Sequence, residues 1–263
     1  MTGPVSDGDQ WRARFRAVVD RYLHTEDGMP PAVGAAEFTK PVDRAFLRAA
    51  AGQAPIEEML WPAWEAVISA ADTPDDGTRS RLVELVGAVR DRGILARPDG
   101  QECVVWDMRA HVDLPVFGAQ MRETWNFPPP AVSAGTWANL NAFAAQLTVA
   151  GVDFSRYAIW ALREALEEDS PELPRVLPAA VEWFRLAGPV LASLAQRAAD
   201  ADGSDQAGRL GREAGLADRG FSVGRWNFWR HRLEDISAAG GDTAAKAREG
   251  LEYMRAPLDG HPT

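Results

Sequence analysis

Apolar and aromatic residues recur three and four positions apart through most of the chain, a spacing that suits amphipathic helices and little else. Trp11, Phe15, Val18, Val19, Tyr22 and Leu23 mark the first helix, and a Gly/Pro-rich stretch over 28–34 ends it. Thr39 is placed to cap a helix through Ala51, with Pro41 tolerated in its first turn. A helix over 56–71 carries Trp61 and Trp64, with Pro62 as a start or a kink. The next, over 78–93, buries Leu82, Leu85, Val86 and Val89. Only Cys103-Val104-Val105-Trp106 reads as a strand, too short and isolated to found a sheet. A helix over 117–125 follows, then a stiff spacer at Pro128-Pro129-Pro130.

Two helices come next, over about 136–149 and 156–168, with Asp153 or Ser155 as the cap between them. A long apolar helix over 179–199 bends near Gly188-Pro189. Residues 200–220 are small, polar and Gly-rich, the pattern of a mobile surface loop. Ser222 caps a helix bearing Trp226, Trp229, Leu233 and Ile236, and Gly240-Gly241 separates it from a last helix over 242–255. The expectation is one all-α domain over residues 1–263, an irregular bundle of about eight to ten helices. Residues 1–8, 200–220 and 257–263 are its expected mobile parts.

The chain has ten tryptophans but four histidines and one cysteine, so aromatic mass is plentiful while metal ligands and nucleophiles are scarce. Such a chain can build a dense core, aromatic pocket walls, or both, and each buried indole N–H needs an acceptor. The net charge of −10 argues against binding a nucleic-acid backbone or an anionic membrane. Basic charge is nearly all arginine, with lysine only at Lys40 and Lys246, which leaves local basic patches open. A single cysteine, Cys103, forms neither an intrachain disulfide nor a thiolate metal cluster. With no leader pattern at the start and no apolar run of membrane-spanning length, the expected setting is the cytoplasm.

Polar groups within apolar stripes are the informative exceptions, because burying them costs free energy unless they are paired. Asn141 follows Trp137 by one turn, on a face shared with Leu140, Ala144 and Thr148. Arg163 sits among Ile159, Leu162 and Leu166, with Glu167 four residues on and within ion-pair reach. Glu164 lies beside Tyr157, Trp160 and Ala161. Arg225 precedes Trp229 by one turn, a stacking distance for guanidinium on indole.

Two readings follow. In one, these helices enclose a pocket: Arg163 or Arg225 holds an anion or carbonyl, Glu164 or Glu167 moves a proton, and Asn141 orients the substrate. Trp137, Trp160 and Trp226 then wall the site. In the other, the same groups form a satisfied buried network that ties helices together. Asp107, His111 and Asp113 lie close in sequence, but the Asp113-Leu114-Pro115 context favours turn and cap chemistry over a base and its orienter. No zinc-ligand spacing, dinucleotide fingerprint, phosphate loop or nucleophile elbow occurs, so neither a metal nor a cofactor is expected.

Four stretches are distinctive in their order and tryptophan spacing. They are Asp113-Leu114-Pro115 through Arg122-Glu123-Thr124-Trp125-Asn126, and Trp137-Ala138-Asn139-Leu140-Asn141-Ala142-Phe143 through Gln146-Leu147-Thr148. Further on are Tyr157-Ala158-Ile159-Trp160-Ala161-Leu162-Arg163-Glu164-Ala165-Leu166-Glu167, and Gly220-Phe221-Ser222 through Arg225-Trp226-Asn227-Phe228-Trp229. Together they resemble a helical family described only as a domain of unknown function and common in filamentous fungi; the resemblance covers roughly residues 78–237, implies an all-helical fold and implies no reaction. It departs in the 200–220 loop, where a tryptophan associated with the family is missing.

The functional expectation is a cofactor-independent protein that binds a small aromatic or apolar molecule. If catalytic, it is a general acid/base enzyme of the cyclase, lyase or hydratase kind in specialised metabolism. The alternative is a non-catalytic interaction module whose tryptophan faces pack on another chain, a copy of itself included.

Overall fold

The computed structural model describes residues 7–25, 27–49, 54–128, 131–197, 205–217 and 219–255. Of the expected mobile segments, 1–6 of 1–8, 200–204 and 218 of 200–220, and all of 257–263 lie outside the described residues, as do Pro129-Pro130 of the proline spacer, while Asp7 and Gly8 begin the first helix. The fold is all-helical, with eleven α-helices among the described residues, one π-helical turn and a single two-stranded hairpin. The chain forms two compact units, Met1–Phe127 and Pro128–Thr263.

In the first unit, α1 (Asp7–His24), α2 (Pro31–Arg48), α3 (Ile56–Ala70) and α4 (Asp76–Asp91) pack together, α1 on α3 and α2 on α4, and α5 (Phe117–Trp125) closes against α3. A chain of buried rings runs through its core: Phe15 to Phe38 at 5.5 Å, Phe38 to Trp64 at 5.4 Å and Trp64 to Phe117 at 4.7 Å between centroids. These separations suit tilted aromatic pairs. The Trp64 indole donates to the Pro115 carbonyl at 2.9 Å. It thereby braces a strained corner in which Leu114 and Val116 both have positive φ, at 51° and 70°.

Helix α2 begins earlier than the sequence suggests. Pro31 serves as its first residue, where a missing N–H costs nothing. Thr39 is therefore no cap; it lies in the interior and its hydroxyl donates to Asp43 at 3.1 Å. Gly34, expected to help break the chain, is helical because the Tyr22 ring lies on it: a Cβ there would meet Tyr22 Cδ2 at 2.4 Å. The lone strand finds a partner, since β1 (Val104–Val105) pairs antiparallel with β2 (Met108–Arg109). Trp106 and Asp107 form the two-residue turn, both at positive φ, 53° and 61°.

In the second unit, α8 (Leu173–Gln196) is the central helix, contacting α6 (Ala134–Val149), α7 (Ser155–Leu162), α10 (Val223–Ala239) and α11 (Asp242–Met254). It starts six residues before the expected position, running from Leu173 straight through Pro178 and Pro189. Pro178 forfeits only the bond to the Pro174 carbonyl near the helix start, so the apolar face on both sides keeps the helix continuous. Ser133 and Ser222 cap α6 and α10 by accepting from Thr136 N and Arg225 N, both at 3.0 Å. At α7 the Asp153 carboxylate accepts from Ser155 N at 2.8 Å, and Ser155 begins the helix.

Two departures shape the candidate site. The helix expected over 156–168 changes winding at Arg163, and Arg163–Glu167 is a π turn. The expected surface loop over 200–220 holds a short helix, α9 (Arg209–Glu213), a bridge between Gln206 and Arg219, and the buried residues Asp205 and Ala207. Polar composition suggested exposure there, but hydrogen bonds to buried charges draw the segment inward.

Candidate functional site

The polar residues within the helical stripes of the second unit separate into three groups. The first centres on Glu167, at the end of the π turn. Its side chain and that of Arg225 are both fully shielded from solvent. Arg225 donates Nε to Glu167 Oε1 at 2.8 Å and Nη2 to Oε2 at 3.0 Å, a bidentate fork. Trp229 Nε1 donates to Oε1 at 2.7 Å, and Gly208 N to Oε2 at 2.6 Å. The carboxylate thus accepts four hydrogen bonds. Arg225 spends Nη1 on two carbonyls, Asp205 at 2.9 Å and Gly220 at 2.7 Å. Its Cζ also lies 5.6 Å from the Trp229 ring centroid.

Asp205 extends this group outward. Its Oδ1 accepts from Trp160 Nε1 at 3.1 Å, and Arg156 Nε lies 3.3 Å from its Oδ2. Gly208 makes the approach of the loop possible: a Cβ there would meet the Glu167 carbonyl at 2.6 Å. Neither Asp205 nor Gly208 stood out as a partner of Glu167 or Arg225 in the sequence, and Trp229 did so only as a ring for Arg225 to stack on, not as a donor to Glu167. Asp205 and Gly208 sit in a segment whose composition reads as solvent-facing, and Trp229 reads as core.

The second group is Asn141 on α6, also fully buried. Its Nδ2 donates to the Trp137 carbonyl at 2.9 Å, and its Oδ1 accepts from Trp183 Nε1 on α8 at 2.7 Å. Trp183 is the partner that sequence spacing could not supply. Trp137 is buried, and Trp226 packs edge-on against Phe184 at 5.7 Å.

The third group lies on the half-buried face of α7 and the π turn. Tyr157 and Trp160 form a tilted pair at 4.9 Å, Phe154 meets Tyr157 edge-on at 5.4 Å, and Arg156 Cζ lies 5.4 Å from the Trp160 ring centroid. Arg163 is partly exposed and pairs with Glu168 at 3.3 Å rather than with Glu167. The π winding explains this, because it aligns residues five apart where an α-helix aligns residues four apart. Glu164, one turn beyond Trp160, is half-buried, and no hydrogen bond or ion pair joins it to another described residue. Burial alone pushes its carboxyl above the ordinary glutamate range.

These environments assign different chemistry to the two glutamates. The Glu167 carboxylate, with two of its four hydrogen bonds from the Arg225 fork, has no direction left for a substrate. Glu164, half-buried and without a partner, keeps its protonated form to higher pH than an exposed glutamate does, because burial disfavours the charged carboxylate. Among the described residues no three His, Cys, Asp or Glu side chains converge as a metal site would require.

In the first unit, Asp113 pairs with Arg109 and not with His111. Arg109 donates Nε to Asp113 Oδ2 at 2.9 Å and Nη2 to Oδ1 at 3.0 Å, and its backbone N adds a third bond at 2.8 Å. Together they bring the Asp113 carboxyl down to about 2. The buried His111 instead places Nε2 3.0 Å from Asp43 Oδ1, while Arg92 reaches Oδ2 at 2.8 Å. Sequence gave no sign of this pair, whose members lie 68 residues apart. Cys103 is buried, and burial raises its thiol to about 11, which leaves it inert as a nucleophile.

No helix among the described residues is long and apolar enough to cross a membrane. No curated protein and no solved structure matches the chain. A family model does match, over residues 64–233, beginning at Trp64 in the first unit and ending at Leu233 on α10. Its span takes in the π turn, the 205–220 segment and every one of the three groups above, and the chain belongs to this family, described as a protein of unknown function (DUF3632).

Proposed function

We propose that the protein binds a small aromatic or apolar molecule on the Tyr157–Trp160 face of α7, with Glu164 as the group that meets its polar atom. The observation that carries this reading is the contrast between Glu167, saturated by four donors, and Glu164, half-buried without a partner one turn beyond Trp160. Trp160 and Tyr157 offer ring faces, Arg163 offers a cation at the rim, and Glu164 offers a carboxyl that burial makes a weaker acid than usual. Glu167, Arg225 and Asn141 hold the frame and do not touch the ligand. A general acid/base reaction without a cofactor, of the cyclase, lyase or hydratase kind, is the catalytic form of this reading. A cytoplasmic role in small-molecule metabolism belongs to the same reading.

The test is a thermal-shift screen of the full-length protein against aromatic ketones, alcohols and amines, repeated with Glu164→Gln. Ligands that raise Tm in the wild type and lose their effect in a folded Glu164→Gln support the reading. Ligands that act equally on both place the site elsewhere.

A second reading, an interaction module that includes self-association, is favoured by Trp106 at the hairpin tip. Its side chain is about half exposed, 48 %, beside Val104 at 50 %, and its ring meets Trp61 edge-on at 6.0 Å. Concentration-dependent association that Trp106→Ser abolishes would support it.

A further inference from the structure

Arginine is distributed unevenly in its pairing. On α1, Arg12 and Arg16 both reach Glu65, at 3.0 and 3.4 Å, and Arg92 on α4 reaches Asp43 at 2.8 Å. Arg14 on α1 and Arg44 and Arg48 on α2 behave differently. No ion pair or hydrogen bond joins any of the three to another described residue, in a chain whose acidic residues outnumber its basic ones by ten. All three line one cleft of about 470 Å³ in the first unit, and among the described residues no lining side chain is acidic.

The cleft has a second property. Trp11 forms part of its wall, with the Arg14 guanidinium carbon 5.7 Å from the ring centroid. Pro41 and Pro55 also line it. Arg44 and Arg48 stand one helical turn apart on α2, so their guanidinium groups project in the same direction. Three like charges on one cleft repel one another unless an anion lies between them. Guanidinium forks match the oxygens of phosphate, and an indole offers a stacking platform for a flat ring. The volume suits a compact organic molecule.

We infer that this cleft is a binding site for a small aromatic phosphate, its oxyanion held by Arg14, Arg44 and Arg48 and its ring against Trp11. The site lies before residue 64, outside the stretch matched by the family, and it does not depend on the α7 face. A nucleotide-sized monophosphate fits these terms better than a polymer, since the net charge of −10 opposes a long polyanion.

The experiment is isothermal titration of the full-length protein with AMP, alongside inorganic phosphate and adenosine as the two halves of that probe. AMP is expected to bind about tenfold or more tightly than either half, and to weaken as salt is raised. The Arg44→Gln/Arg48→Gln double variant should lower AMP affinity about tenfold or more, and Trp11→Leu should bring it toward that of inorganic phosphate. Arg44 and Arg48 are exposed, so circular dichroism should show the double variant folded. Absence of saturable AMP binding up to about 10 mM overturns the proposal. So does AMP affinity unchanged in the folded double variant, or inorganic phosphate binding as tightly as AMP.

Discussion

Arg225 clasps Glu167 through two parallel bonds of 2.8 and 3.0 Å, 58 residues apart in sequence and wholly out of reach of water. The pair joins α10 to the π turn, and through Gly208 N and the Asp205 and Gly220 carbonyls it also anchors the 205–220 segment. Removing either charge strands the other in the interior. Glu167→Gln and Arg225→Met are each expected to cost about 3–5 kcal/mol in denaturant unfolding. The double variant Glu167→Leu/Arg225→Met should cost clearly less than the sum, because no lone charge is left behind. Additive losses would mean that the two side chains act separately.

Gly208 stands where the loop backbone touches the π turn. With a Cβ 2.6 Å from the Glu167 carbonyl and 2.7 Å from Glu167 Cβ, Gly208→Ala must push the loop away and stretch the bond from Gly208 N to the carboxylate. A loss of about 1–3 kcal/mol is expected, with faster amide exchange concentrated over 205–220. Exchange that accelerates uniformly, or not at all, would contradict this account of the anchor.

Asn141 couples α6 to α8 through the Trp183 indole at 2.7 Å. Asn141→Leu leaves the buried indole N–H without its acceptor and should cost about 1–3 kcal/mol. Trp183→Phe in the same background should add less than it does alone, since the bond is already gone. A double-mutant cycle reads this coupling directly.

Glu164 gives a pH signature of opposite sign to the usual paired carboxylate. Burial raises its folded-state carboxyl above the unfolded value, so in the window between the two the native state binds the extra proton. Stability from this group is present below the unfolded value, falls as pH rises through the window, and is level above it. Glu164→Gln should therefore raise Tm at pH 7 by on the order of 1–2 °C, and the gain should vanish in acid. A variant less stable than wild type at pH 7 would mean that the carboxylate has a partner in solution.

Helices were legible in the sequence because three- and four-residue spacing of apolar side chains is a local property that survives without knowledge of neighbours. The stripes through Phe15, Leu82, Trp137 and Trp229 all proved to be core faces, and the Ser222 cap lay where its side chain could reach the first turn. Glu167, Arg225 and Asn141 were singled out for the same reason, since a polar group within an apolar stripe demands a partner.

Which partner each one found was a matter for tertiary structure alone. Asp43 meets His111, Trp183 meets Asn141, and Gly208 meets Glu167 across 68, 42 and 41 residues of chain, distances over which no spacing rule operates. The π winding at Arg163 is likewise absent from any local pattern, yet it moves the Arg163 ion pair from Glu167 to Glu168 and frees Glu167 for Arg225. Composition marked 200–220 as solvent-facing, but the cost of leaving a buried carboxylate without donors draws the described part of that segment into the fold.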